Sequence, residues 1–334
     1  MAVATSPERT PLANPRAGAR FADRSFRWLC VGAACVLVAI LIGAAWFIFG
    51  QGLSSTRHYG FFSFLHVRWA PSEATASGRH PNPYGILQFV YGTVLTSAIA
   101  MLIAVPVSIG VAAFITQVCP IRFRRTLSAV TDLLAAVPSV VYGFWGIFAL
   151  LPALRPFASF FEGTFGKIPV VGAFFAGPFF GFSYLAASVV LAIMILPIVT
   201  SIVREVFSSV PAAQTQAAYA LGATRWETIR KAVIPYGRSG IFGASFLGLA
   251  RAFGETIAVT MVIGNNVLNI SKSILGQGAT MASVIANEFT EANQPFHLES
   301  LFVVAFWLLL ITLVVNVVAR AVISRTGRVV EGAG

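Results

Sequence analysis

The chain has 334 residues, of which 57% are hydrophobic and only 10% charged, with a mean hydropathy of +0.81. A soluble domain of this length could not cover such a composition with polar surface. The apolar runs do not alternate as barrel strands do, so helices are expected to satisfy the backbone in lipid. The formal charge of +11 gains meaning only from where the charges sit, and their placement reports topology rather than a nucleic-acid partner.

Residues 1–24 carry Pro7, Pro11 and Pro15 among arginines and read as a disordered tail. The apolar run 28–49 is long enough, at about 1.5 Å per residue, to cross a hydrocarbon core of about 30 Å. It is too long for the core of an ordinary signal peptide. Further spans are predicted at 84–115, 127–151, 179–203, 239–264 and 300–319, with kinks at Pro106, Pro138 and Pro197 and a tail at 326–334. The expected fold is all-α and polytopic: one membrane domain, 25–325, with six transmembrane helices and both termini on one side. That side holds most of the 23 basic residues, among them Arg122, Arg124, Arg125, Arg225, Arg230 and Lys231. By the positive-inside rule it is cytoplasmic.

Cys30, Cys35 and Cys119 are odd in number and lack a C-x-x-C spacing, which argues against disulfides or a metal cluster. His58, His66, His80 and His297 all fall in predicted external loops without metal-ligand spacing. No G-x-S-x-G nucleophile motif is present, so an integral membrane enzyme is poorly supported.

The loop 209–235 between the fourth and fifth spans is patterned. Pro211 suits a helix start, the run through Gln216, Ala217, Ala218 and Leu221 favours helix, and Gly222 supplies a stop. Thr224-Arg225-Trp226-Glu227 has the form of a capping box opening a second helix, and Pro235 is expected to end it. Trp226, Ile229 and Val233 fall on one apolar stripe. Such a hairpin could enter a partner's groove, or pack on its own helix ends or the lipid interface.

Three charges lie within predicted spans. Asp132, near the start of the third, suits a helix N-terminus or an ion pair with Arg124 or Arg125. Arg251 and Glu255, four residues apart in mid-span, share a helix face and should point away from lipid. They form either a packing ion pair or part of a substrate path in which Arg251 offers forked donors to an oxyanion. Ser139 and Tyr142, beside the Pro138 kink, are candidates for a gate, with close helix packing as the alternative. Asn265 and Asn266 read as a helix stop.

The stretch Gln216-Ala217-Ala218, Gly222 and Ile234-Pro235 resembles the EAA loop of binding-protein-dependent ABC importer permeases, with Gln216 at the usual glutamate and Ala232 at the usual isoleucine. The resemblance implies the type I ABC importer permease fold, a bacterial inner-membrane location, and an ATPase-coupling role for Gln216, Ala217, Ala218, Gly222, Trp226 and Pro235. Residues 91–115, 137–152 and 248–265 are similar to the PstC-type permeases of phosphate importers. That likeness implies a PstA-like second permease, two copies of a PstB-like ATPase that uses ATP and Mg, and a PstS-like phosphate-binding protein. This chain has no G-x-x-x-x-G-K-[ST] segment, so ATP is expected to be hydrolysed by a partner and no cofactor is expected here. Sulfate, molybdate and phosphonate stay open as substrates, and a secondary transporter would leave the 209–235 loop unexplained.

Overall fold

The computed structural model describes residues 17–331, except 75–81, 167, 169–171 and 178. The expected tail segments 1–16 and 332–334, together with His80, lie outside the described residues. Two units are resolved by internal packing, Met1–Gly50 and Gln51–Gly334. The first is essentially the long apolar helix α1, Ala17–Gln51, which begins inside the stretch read as a tail.

The second unit opens with α2 (Leu53–Tyr59), then α3 (Leu87–Ala113), which a π-turn extends to Val118. Next come α4 (Ile121–Ala135), α5 (Ser139–Trp145), a π-turn, α6 (Leu151–Phe165) and α7 (Tyr184–Ser208). The hairpin comprises α8 (Ala212–Ala220), α9 (Arg225–Thr228), a π-turn and α10 (Ile234–Tyr236). The chain closes with α11 (Arg238–Gly254), α12 (Ile257–Ile263), α13 (Met281–Glu288) and α14 (His297–Glu331). Among the described residues there is no strand, only two isolated bridges.

Among the described residues five helices are long and apolar enough to cross a membrane, and α11 with α12 makes a sixth, bent by 64°. The third span departs from the sequence reading of 127–151. Pro138 lacks an N–H and restricts Val137, so α4 stops before it and the crossing helix is Ser139–Phe165. Asp132 consequently lies late in α4, not at the start of a span, and pairs with Arg204 of α7 at 3.1 Å rather than with Arg124 or Arg125. Pro235 does not end its helix either. The π-turns Gly146–Leu150 and Ile229–Val233 each sit just upstream of a proline, Pro152 and Pro235. Their wider turn gives the ring room where an α-turn would clash with the carbonyl four residues back.

The most buried span, α7, packs along α3, with Leu191, Ile195, Val199 and Val203 against small residues such as Ala100 and Ala104. Small residues let helix backbones approach where lipid supplies no hydrophobic drive. Gly248 of α11 shows the constraint: a Cβ there would come within 2.8 Å of Ile195 and Val199. Ser108 donates to the Leu196 carbonyl at 3.0 Å and ties the two helices at depth.

A second core forms on the side opposite the hairpin, where Phe64, Trp69, Tyr84, Phe89, Met281, Leu301 and Val304 close a cap. Trp69 Nε1 donates to Glu288 Oε2 at 2.9 Å, and His297 Nε2 donates to the same oxygen at 2.8 Å. Tyr84 donates its hydroxyl to the Pro295 carbonyl at 2.6 Å, and burial pushes that hydroxyl well above the ordinary phenol range.

Candidate functional site

Two features stand out, a protruding hairpin and a broken helix. The hairpin folds as its local sequence dictates. Gly222 adopts φ +81°, the left-handed region that glycine enters freely. Its N–H donates to the Tyr219 carbonyl and that of Ala223 to the Ala218 carbonyl, the paired bonds of a Schellman stop. Thr224 Oγ1 then accepts from the Glu227 N–H while Glu227 accepts from the Thr224 N–H, completing the capping box. The Thr224 N–H and the Thr224 hydroxyl, donating to Glu227 Oε2 at 2.9 and 3.0 Å, together with Lys231, 3.6 Å away, hold the Glu227 carboxyl below its usual range.

No residue of α8 is buried. Gln216 and Ala217 are exposed and Ala218 is partly covered. The apolar stripe expected over Trp226, Ile229 and Val233 divides: Ile229 and Val233 enter the protein's own core, whereas Trp226 is 66% exposed. The stripe runs off the edge of the bundle, and only its outer end is free for a neighbour. Sequence reasoning missed Leu221, 90% exposed, and Tyr219 beside it. The signal was there: a leucine directly before a helix-stopping glycine sits at a tip with no core to reach. Pro235 lies partly buried at the hairpin's base.

The expected continuous helix through Arg251 and Glu255 is interrupted. Arg251 lies in the last turn of α11, while Glu255 is extended (φ −73°, ψ 123°) and its Oε1 accepts from the Ala258 N–H at 3.3 Å. Each charge therefore sits at a helix end of opposing partial charge. The two groups still meet at 3.9 Å, with Arg251 47% exposed and Glu255 only 7%. Glu255 is the fixed member. Arg251 makes no other polar contact among the described residues and keeps donors free. Interrupted backbone at membrane depth is tolerated where it is buried in protein or lines a watery cavity.

The gate candidates separate. Tyr142 is buried and donates to the Leu134 carbonyl at 2.8 Å, the acceptor that Pro138 cannot serve because it lacks an N–H. Its hydroxyl is committed to the α4–α5 turn. Gly143 packs on Ala258 and Met261 of α12, so α5 lies beside the break, and Ser139 sits one turn earlier on the same side. Asn265 does act as a stop: it has φ +51° and its amide donates to the Thr260 carbonyl at 2.8 Å. Among the described residues no cluster of side chains suits a metal ion.

A multi-span helical protein with a broken inner helix and an exposed hairpin is built as a transport-type membrane component. The binding-protein-dependent transport system inner membrane component family matches residues 104–328, and the chain belongs to that family. It is 42% identical to a phosphate transport system permease protein PstC of Xylella fastidiosa, covering 92% of both chains. It is also 42% identical to the PstC of Mesorhizobium japonicum over 88% of each. Its fold is similar to a chain of the MetNI methionine ABC transporter in inward-facing conformations, with a TM-score of 0.50 and 16% identity over 72% of this chain and 97% of that one. The protein is thus a multi-pass inner membrane component of a binding-protein-dependent transport system.

Proposed function

We propose that this chain forms one half of the translocation path for inorganic phosphate and couples it to ATP hydrolysed by a separate subunit. The observation that carries the substrate is the 42% identity, over nearly the whole length, to proteins named as phosphate permeases. On this reading the hairpin faces the cytoplasm, and the exposed Leu221, Trp226 and Tyr219 offer apolar surface to a PstB-like ATPase dimer that binds ATP and Mg. Gln216, Ala217 and Ala218 form the flank of the docking helix, and Gly222 sets its angle. A PstA-like permease completes the path, and a PstS-like protein delivers phosphate on the opposite face.

At the break, the half-exposed Arg251 guanidinium is the transient phosphate contact. A planar fork matches two oxygens of a tetrahedral oxyanion. Buried Glu255, held by the Ala258 amide, draws the guanidinium back between passages and keeps the anion from binding too tightly to leave. Ser139 is the other candidate hydroxyl on α5, while Tyr142 acts by holding the Pro138 turn.

Labelled phosphate uptake in cells producing Arg251→Gln tests this reading. Uptake should fall at least tenfold at normal membrane abundance, and wild-type uptake should resist competition by sulfate, molybdate and phosphonate. Unchanged uptake by the variant would remove Arg251 from the path, and effective competition would reassign the substrate.

A further inference from the structure

A cavity of about 690 Å³ opens between α11 and α14, toward the end of the membrane domain that bears the hairpin. Its walls are apolar, with Phe246, Leu247, Leu313 and Val317 among them, but Asn316 and Arg320 line the same space. They are four residues apart on α14 and so lie about 6 Å apart along one helix face. Arg320 is exposed and forms no ion pair among the described residues, and Asn316 makes no side-chain hydrogen bond there. Among the described residues no acidic side chain lines the cavity.

Phe246 also walls a second cavity of about 300 Å³, which reaches Val94, Met101, Leu249, Phe253 and Val315 and is almost wholly apolar. Because α11 runs away from the hairpin and α14 runs toward it, Phe253 and Val315 lie deeper in the membrane than Arg320. The groove therefore has a cationic mouth, an amide donor one turn below it and an apolar floor beyond. An unpartnered amide within a span is costly and a guanidinium at the mouth above it keeps its donors free, which together call for an occupant that uses both.

We propose that this groove binds an anionic phospholipid, its headgroup phosphate on Arg320, its ester region at Asn316 and an acyl chain along Phe246 toward the deeper cavity. The phosphodiester accepts the guanidinium fork, and a headgroup without a cation of its own leaves that contact uncontested. Free phosphate would use the mouth but leave the apolar length of the groove empty, so the lipid is the better match.

Native mass spectrometry of the full-length protein, titrated with phosphatidylglycerol, phosphatidylcholine or inorganic phosphate, tests the proposal. Wild type should retain phosphatidylglycerol over phosphatidylcholine about tenfold, and Arg320→Ala should remove that preference. Leu247→Trp, which fills the groove and keeps Arg320, should lower retention of both lipids. Because the wild-type preference is itself a readout, a variant that fails to fold leaves the proposal exposed to refutation. Equal retention of the two lipids, displacement of phosphatidylglycerol by millimolar inorganic phosphate, or capture of another protein chain rather than lipid by a photo-crosslinker at Leu247 would each overturn it.

Discussion

Two regions at opposite ends of the membrane domain handle a tryptophan in opposite ways. In the cap, Trp69 is 1% exposed, its ring held against Tyr84 and Phe89 and its N–H spent on Glu288. In the hairpin, Trp226 is 66% exposed beside Leu221 at 90%. The cap buries its large aromatic side chains within itself and spends the polar tips of Trp69 and Tyr84 on its own acceptors. The outer part of the hairpin is shaped by local bonds, a glycine stop and a capping box, and leaves its largest apolar side chains bare. Rigid local structure combined with unspent apolar surface is the physical form of a docking element, because the partner gains burial without first ordering the chain.

This contrast can be broken by substitution. Leu221→Asp, or Trp226→Ala with it, should reduce transport more than tenfold while membrane abundance and thermal stability stay at wild-type levels; a matching loss of abundance would show that the hairpin supports the fold. Trp69→Ala should do the reverse. Truncating a fully buried tryptophan costs about 3–5 kcal/mol, so abundance should drop severalfold while transport per surviving molecule holds. Glu288→Gln sharpens the same point at smaller scale. It leaves an acceptor for Trp69 and His297 but removes the charge, so a stability loss of about 1–2 kcal/mol is expected in thermal unfolding.

The smallest effect concerns pH. Glu227 has its carboxyl lowered chiefly by the Thr224 N–H, so its capping contribution is present above the ordinary carboxylate range and is lost as pH falls through the lowered value. Amide exchange at the start of α9 should accelerate only in acid, and Glu227→Gln should flatten that dependence.

Much of the plan was legible because it is local. The apolar runs, the Gly222 stop and the Thr224–Glu227 box are each decided by residues a few positions apart, and all appear in the structure. What depends on distant packing was not. Nothing near Asp132 indicates that Arg204 of α7 would claim it, and Tyr142 became a structural donor because the turn at Pro138 brings the Leu134 carbonyl within its reach. The interruption at Glu255 was hidden for a related reason. Residues 239–264 carry no proline, and the turn is stabilised by Glu255 reaching a backbone amide three residues on. Trp226 illustrates a third limit: periodicity gives the face of a helix but not the point at which that face leaves the core.

The most direct test is hydrogen–deuterium exchange on the purified protein with and without the ATPase subunit. Protection should appear at 212–228 when the ATPase is present and vanish in Leu221→Asp. Exchange at 212–228 that is indifferent to the ATPase would contradict the coupling role given to the hairpin.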